Sequence, residues 1–420
     1  MVDDVSLGEL ELISPFFFAQ NGYPFDAWKR LRREAPVYWF DRLRGKPFWA
    51  ITRYDDIVSI SRQPERFLNA PRLVVSPEGV TDEQFPVRTL LNMDPPDHHE
   101  YRVLMNRRFT PKAMQRIRQS VDSIASAILD DVACDGEESE VDFVQAVSAR
   151  LPIWVIAEML GVPRSDWELL FGWTNRTIGA GDPEYREQGK TPLETMHEAR
   201  LALFHYFSEM TEDRRKHPRD DLVSVLTHAR VDGEPLPVFE LMSYYFLLVV
   251  AGNETTRNAT SGGLLALIEH PEQRERVRRD PALIEPLVEE ILRWTSPVIH
   301  FCRTPIEDVD LHGQRIRAGQ SLCLFYPSAN RDESIFEDPD RFVVSRRPNR
   351  HIAFGFGEHV CLGAHVARLE LQVMFRHMVE RFDHLELAGP VERLRSSIVG
   401  GIKHMPIRYR LRPAAETATA

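Results

Sequence analysis

Cysteine is scarce in this chain. Only Cys134, Cys302, Cys323 and Cys361 occur in 420 residues, widely scattered and without a CxxC pair. That spacing excludes a disulfide framework and a cysteine-rich zinc site, so any chemistry at sulfur is the work of one thiolate. Long apolar runs are missing too. The most apolar stretch, Leu241–Ala251, falls far short of the ~20 residues a membrane span needs. The opening MVDDVSLGELELISPFFFAQ has no basic region and no long apolar core, so it reads as neither secretion signal nor anchor, and a cytoplasmic setting is expected. Basic charge is in deficit, 52 Lys and Arg against 63 Asp and Glu, for a net charge of −11. A general nucleic-acid binder needs the opposite balance. No repeat, low-complexity tract or Gly/Ser linker divides the chain.

What is present is a large apolar fraction, 43%, enough for a substantial core. The expectation is a single unit over residues 1–420, with 1–20 as an N-terminal extension and 413–420 as a frayed tail. Short strands are expected at Pro36–Phe40 and Phe48–Thr52. From about Pro111 to Pro297 the pattern is mainly helical. Pro237 to His270 reads as one long helix closed by Pro271, and its run Leu241–Ala251 is apolar nearly all round, which marks a central, buried helix. Asp280-Pro281 opens another helix that stops before Pro297. β character returns at Val309–Leu311 and Arg315–Arg317, around a turn at His312-Gly313, and at Ser321–Tyr326. Ser345–Phe356 lacks periodicity, and long loops inside a compact unit are usually functional. A last helix begins near Cys361 and runs to about Phe382. The fold class is mainly α with a minor β region.

The densest chemical signal is Phe354-Gly355-Phe356-Gly357-Glu358-His359-Val360-Cys361-Leu362-Gly363-Ala364. The two early glycines permit a tight turn, and Gly363 permits close approach of a flat ligand. Cys361 stands where a helix begins, and a helix N-terminus lowers a thiol pKa. A thiolate in a Gly-rich turn, flanked by apolar residues, suits axial ligation of haem iron. An isolated cysteine would more simply be a small buried residue. It is the whole string that carries the reading.

This string resembles the cysteine-ligand loop of the cytochromes P450, FGxGxHxCxG, at every fixed position. The resemblance implies the P450 fold, a prism-like unit with a long central helix and the Cys loop ahead of the last long helix. It implies haem b held by Cys361, with Phe354, Gly355 and Gly363 shaping the loop, and dioxygen as co-substrate. Three further motifs appear in family order. Ala251-Gly252-Asn253-Glu254-Thr255-Thr256, in mid-helix, is similar to the acid–alcohol pair, which makes Glu254 and Thr255 the proton-delivering residues. Taken alone this would be a polar stripe on a helix edge. Glu290-Ile291-Leu292-Arg293 places two charges on one helix face, and taken alone would be a surface ion pair. It resembles the ExxR motif, whose third partner is an arginine in a Pro-x-Arg-Phe segment. Pro339-Asp340-Arg341-Phe342 then assigns Arg341, and the trio is structural rather than catalytic. In Asp94-Pro95-Pro96-Asp97-His98-His99-Glu100-Tyr101-Arg102, His98 and Arg102 share a face. With Arg303 and His359 they match the family's holders of the haem propionates, and charge-assisted bonds of this kind are strong.

A basic cluster, Arg107, Arg108, Lys112, Arg116 and Arg118, follows the His98 segment. Such runs are usually solvated faces, but in this acidic chain the resemblance marks it as the docking surface for a ferredoxin or flavodoxin-like donor. Electrons then reach the enzyme from NAD(P)H through a separate reductase. The implied activity is insertion of one oxygen atom from dioxygen into an apolar small molecule: a terpenoid, steroid or lipid-like compound. Alternatives are a peroxide-driven haem-thiolate enzyme, a coupling or desaturating pathway enzyme, and a non-enzymatic haem sensor. The Glu254–Thr255 pair speaks against the first, and the lack of a signalling domain against the last. The segments Val80–Leu91, Trp173–Gly181, Tyr245–Ala251, Val298–Phe301 and Ser397–Ile402 are expected to line the substrate pocket, with Leu90, Leu247, Val250, Ala251, Val298, Ile299 and Val399 in contact. His300 and Thr255 are the polar exceptions.

Overall fold

The computed structural model describes residues 5–41, 46–75, 88–134, 137–179 and 182–413. The helices in chain order begin with α1 Pro15–Asn21, α2 Phe25–Glu34, α3 Tyr54–Ser61, α4 Asp97–Asn106 and α5 Pro111–Asp130. Then come α6 Arg150–Leu160, α7 Trp167–Ile178, α8 Pro192–Lys216, α9 Leu222–Thr227 and α10 Val238–Glu269. The last are α11 Pro271–Arg279, α12 Ile284–Thr295, α13 Tyr326–Ala329 and α14 Ala364–Arg381. None of them is long and apolar enough to cross a membrane.

The long central helix is present as read. α10 spans 32 residues between Pro237 and His270, because a proline tolerated ahead of a helix cannot continue one. It is buried along most of its length and packs against α6, α8, α12 and α14. One feature of its sequence sets the closeness of those crossings. A side chain at Gly263 would start 2.6 Å from the Phe375 ring of α14 and 2.8 Å from Ile291 of α12.

β-structure is divided between both ends of the chain. The strands β1 Val37–Phe40, β2 Phe48–Ile51, β3 Phe67–Leu68, β4 His300–Pro305 and β5 Leu322–Phe325 make one sheet of order β1-β2-β5-β4-β3. β5 runs parallel to β2 and antiparallel to β4, and the register sets Cys323 directly opposite Cys302. Both cysteines are fully buried, in a core shared with Phe325, Trp28 and Phe18. Leu10, Leu12 and Ile13 join that core, so the expected N-terminal extension is an integral layer over the sheet. The strands Phe382–Leu387, Pro406–Leu411 and Ser139–Asp142 form a second sheet that the sequence pattern did not reveal.

The segment from Asn330 to Phe354, which leads into the Cys loop, is held by charge rather than by regular structure. Glu290 and Arg293 of α12 are both fully buried. Arg293 donates from Nε and Nη2 to the two Glu290 oxygens, each at 2.8 Å. Its remaining donors take the carbonyls of Asn330, Pro339 and Arg341 at 3.0, 2.8 and 3.1 Å. The predicted third partner is corrected. The Arg341 side chain is 73% exposed and pairs with Asp338, while Arg346 reaches Glu290 at 3.1 Å. The Arg341 side chain points to solvent, and only its carbonyl reaches the Arg293 guanidinium.

α14 carries a second buried carboxyl, Glu370, 2% exposed and next to Thr256 of α10. Burial pushes it up to about 8, with the Thr256 hydroxyl pulling the other way.

Two outcomes follow. Glu290→Ala leaves Arg293 and Arg346 buried without a counter-charge, at a cost of about 3–5 kcal/mol. Thermal unfolding should register it as a large loss of stability, and an unchanged transition would contradict the network's role. Glu370 is protonated in the fold over a range where the unfolded chain has released that proton. Its contribution to stability is therefore full below the ordinary carboxyl range and lost as pH rises toward about 8. Chemical denaturation at a series of pH values should show this decline, and Glu370→Gln should flatten it.

Candidate active site

Side-chain exposure along α10 reveals a stripe. Leu247, Ala251 and Thr255 recur at i, i+4 and i+8, on one face. Ala251 is exposed and Leu247, Val250 and Thr255 are half-buried, although Val249, Asn253, Glu254 and Thr256 are buried. An open stripe in the middle of a buried helix faces an interior cleft. There the Thr255 hydroxyl donates to the Ala251 carbonyl at 3.0 Å, the back-bond that lets a helix bend locally.

Glu254 looks the other way. It is 2% exposed, and its Oε2 accepts from Arg257 Nη2 at 2.5 Å. Arg257 Nη1 in turn donates to Asn175 Oδ1 of α7 at 3.1 Å. Burial raises the Glu254 carboxyl above its ordinary range, and Arg257 opposes that. The acid and the alcohol are thus neighbours in sequence on different faces, since adjacent helix residues point about 100° apart. Arg257 and Asn175 escaped the sequence reading. The i,i+3 spacing of Glu254 and Arg257, on a helix predicted to be buried, was the available signal.

The Cys loop is a turn that only glycine fits. Gly355 and Gly357 take φ of 72° and 75°, and a Cβ at Gly357 would fall 2.1 Å from the Ser61 carbonyl oxygen. The Cys361 N–H donates to the Phe354 carbonyl at 2.9 Å, which closes the loop. α14 starts at Ala364 with Gly363 as its cap, so Cys361 precedes the first turn rather than opening it. Its side chain is accessible, yet burial raises its thiol pKa, against the pull of the Gly363 N–H, Arg102 and Arg368. Both observations fit a sulfur on the wall of a cleft deep inside the protein. The expected lowering of the thiol is corrected: burial outweighs the helix end.

The four residues expected to hold the propionates do converge. The His98 and His359 rings lie 3.9 Å apart. His359 is held down to about 2 by burial and by the charges of His98, Arg303 and Arg102. His98 Nδ1 faces Glu358 Oε1 at 2.9 Å. The Nε2 atoms of His98 and His359 are both buried without a partner. Arg102 spends one donor on the Val360 carbonyl at 2.6 Å, and Arg303, 4% exposed, spends one on Cys302 at 2.8 Å. Buried imidazole nitrogens left unmatched beside two arginines suit an anion with two carboxylates. Together with an accessible sulfur and an apolar helix face, they fit a haem.

Burial differs among the residues expected to line the pocket. Val298 and Val399 are half-buried and bridge one another, and Trp173 is half-buried as well. Leu90 is buried, while residues 80–87 and Gly181 lie outside the described residues. Ile299 and His300 are corrected. Both are fully buried in the structure. Ile299 packs with Phe325 and Cys302, and His300 Nε2 accepts the Val75 N–H at 3.1 Å. On the basic face Arg107, Lys112 and Arg116 are exposed, whereas Arg108 is paired with Asp220 at 2.6 Å.

Comparisons with known proteins give the family. The family model described as Cytochrome P450 matches residues 190–404. A methyl-branched lipid omega-hydroxylase of Mycobacterium tuberculosis is 37% identical over 415 residues, covering 97% of this chain and 96% of its own. A steroid C26-monooxygenase of Mycolicibacterium smegmatis is 37% identical, covering 92% and 90%. The structure of a Mycobacterium marinum cytochrome P450 in complex with pseudoionone superimposes with a TM-score of 0.88 at 35% identity, covering 95% of this chain and 98% of that one. With its Cys loop, its long central helix and relatives similar along nearly its whole length, this chain belongs to the cytochrome P450 family and is a monooxygenase of the haem-thiolate type.

Proposed function

We propose that the chain acts as one catalytic unit that binds haem b through Cys361. It inserts one oxygen atom of dioxygen into a mostly apolar small molecule: a lipid-like, steroid or terpenoid compound. The observation that carries this reading is the juxtaposition of the accessible Cys361 sulfur with the buried, unpartnered Nε2 atoms of His98 and His359. The haem-thiolate iron supplies dioxygen activation, and the rest is the work of side chains. His98, Arg102, Arg303 and His359 hold the two propionates. Glu358 fixes the His98 ring through Nδ1, which leaves Nε2 free to turn toward the carboxylates. Leu247, Val250, Ala251, Val298 and Val399 orient the substrate and exclude water, since apolar walls with a few polar groups are the common form of such sites. The chemistry named for the relatives, a branched lipid and a steroid, supports the apolar class.

Thr255 holds a proton at the cleft face and passes it inward. Glu254, kept behind the helix by Arg257, is the reservoir that resupplies it, through a rotation or a bridging water, and Arg257 is its positioning residue. This pair supports the dioxygen route over a peroxide-driven one. Arg107, Lys112 and Arg116, with Arg108 already neutralised, form the face for an acidic ferredoxin or flavodoxin that draws on NAD(P)H through its reductase. Charge complementarity of this kind acts mainly on encounter.

Ferrous holoenzyme with carbon monoxide should show the red-shifted Soret band of thiolate ligation, and Cys361→Ala should lose it while Cys302→Ala and Cys323→Ala keep it. The same preparation, titrated with fatty acids, steroids and terpenes, should shift to high spin. Affinity should rise with apolar area at ~25 cal/mol per Å² buried until the cleft is full. A response to charged ligands alone would sink the apolar class. Thr255→Ala should still bind haem and substrate but divert most reducing equivalents to peroxide or water. Unchanged coupling of electron use to product would remove Thr255 from proton delivery.

A further inference from the structure

Next to the buried Glu290 stands a carboxylate with a different environment. Glu289 of α12 is 28% exposed and meets α14 and the end of the segment that leads into the Cys loop. Arg368 of α14 donates to it with two parallel bonds, Nε to Oε1 at 2.7 Å and Nη2 to Oε2 at 2.9 Å. His351, on the segment leading into the loop, sits with Nε2 3.0 Å from Glu289 Oε2. A bidentate clamp fixes the plane of a guanidinium as well as its position. Here the plane lies over the Phe354 ring, with Cζ 4.6 Å from the ring centroid. Phe354 is the residue whose carbonyl receives the Cys361 N–H. Glu289, Arg368 and Phe354 therefore form a rigid stack that ends on the loop holding the sulfur. Its guanidinium is a permanent charge packed against that loop.

We propose that the Glu289–Arg368 pair sets the reduction potential of the Cys361-ligated centre. Arg368, stacked on Phe354, makes reduction easier, and Glu289 holds that effect in check while fixing the geometry. This rests on the assignment of Cys361 as the ligand. The physical reason is the sign of the field. One-electron reduction adds a negative charge to the centre, and a fixed positive charge packed against its loop in a partly buried site favours the reduced form. The same positive charge withdraws electron density from the thiolate, and charge and hydrogen bonding near a ligating sulfur tune metal potentials in just this way. Arg368 and Glu289 are positioning residues here: neither touches substrate, and each acts through the field at Cys361.

The two partners must act in opposite directions, which a merely structural role does not produce. In spectroelectrochemical titration of the holoenzyme, Arg368→Gln should lower the potential, because it removes the positive charge and leaves Glu289 uncompensated. Glu289→Gln should raise it, because Arg368 is then unopposed. A change of about tenfold in the equilibrium constant for reduction corresponds to ~59 mV for a one-electron couple, and each variant should move by a shift of that order. Arg368→Lys keeps the charge and should stay near the wild type. Potentials that do not move, or that fall together in both glutamine variants, overturn the proposal, as does an Arg368→Lys value equal to that of Arg368→Gln. If Arg368→Gln fails to hold haem, the rise in Glu289→Gln decides alone. The carbon monoxide Soret band is read on every sample. Its absence in the wild type would overturn the Cys361 assignment itself, separately from the electrostatic effect.

Discussion

A single buried carboxylate organises the half of the molecule that matters for chemistry. Glu290 has no access to solvent, and an ionised group there is tolerated only when every lone pair is matched. The matching is done by Arg293, Arg346, the Val343 N–H at 2.9 Å and the Asn349 side chain at 3.1 Å. Each of these partners except Arg293 belongs to the irregular stretch ahead of the Cys loop. That stretch has little regular structure of its own, so its path is dictated by where the acceptors and donors of α12 sit. The loop, the sulfur and the packing of Phe354 inherit their positions from that arrangement.

The same accounting separates scaffold from site. Both oxygens of Glu290 are matched. Around His98 and His359, at the Tyr185 hydroxyl and at Asn253 and Asn258 of α10, buried polar atoms stand without partners. Native proteins leave few such atoms, and those they leave usually meet a ligand or an ordered water. Others lie elsewhere, Trp28 Nε1 and Arg381 Nη1 among them, but those of His98, His359, Asn253 and Asn258 stand at the Cys loop and beside Glu254 in α10. That is the region in which a proton has to travel and an anionic cofactor has to be held.

Much of this was legible in the sequence, and the parts that were not have a common cause. The Cys loop, the ExxR pair and the long helix follow from local spacing, residue type and proline placement, so they could be read from one segment at a time. The Glu254–Arg257 pair is also local, yet it was read through its neighbour Thr255, although successive helix residues diverge. Arg341 and Arg346 flank one turn, and which of them faces α12 depends on how the whole segment folds back. Ile299 and His300 follow the Pro297 that ends α12, but strand pairing with β5 decides which way they point. The second sheet joins Ser139–Asp142 to Pro406–Leu411, and no pattern within either stretch announces a partner so distant in the chain.

The register of the first sheet has a consequence for durability. It places Cys302 and Cys323 face to face and fully buried, where burial and a mutual S–H···S contact keep the Cys323 thiol well above its ordinary range. Attack on an oxidant requires a thiolate, so this pair stays inert even though the two sulfurs are close. An enzyme that handles activated oxygen releases some peroxide whenever a cycle misfires, and unprotected thiols would be among the first groups damaged. Here one sulfur is committed to the cleft, and the two nearest it in the sheet are sealed behind aromatic side chains. The arrangement shields the scaffold from the by-products of its own catalysis.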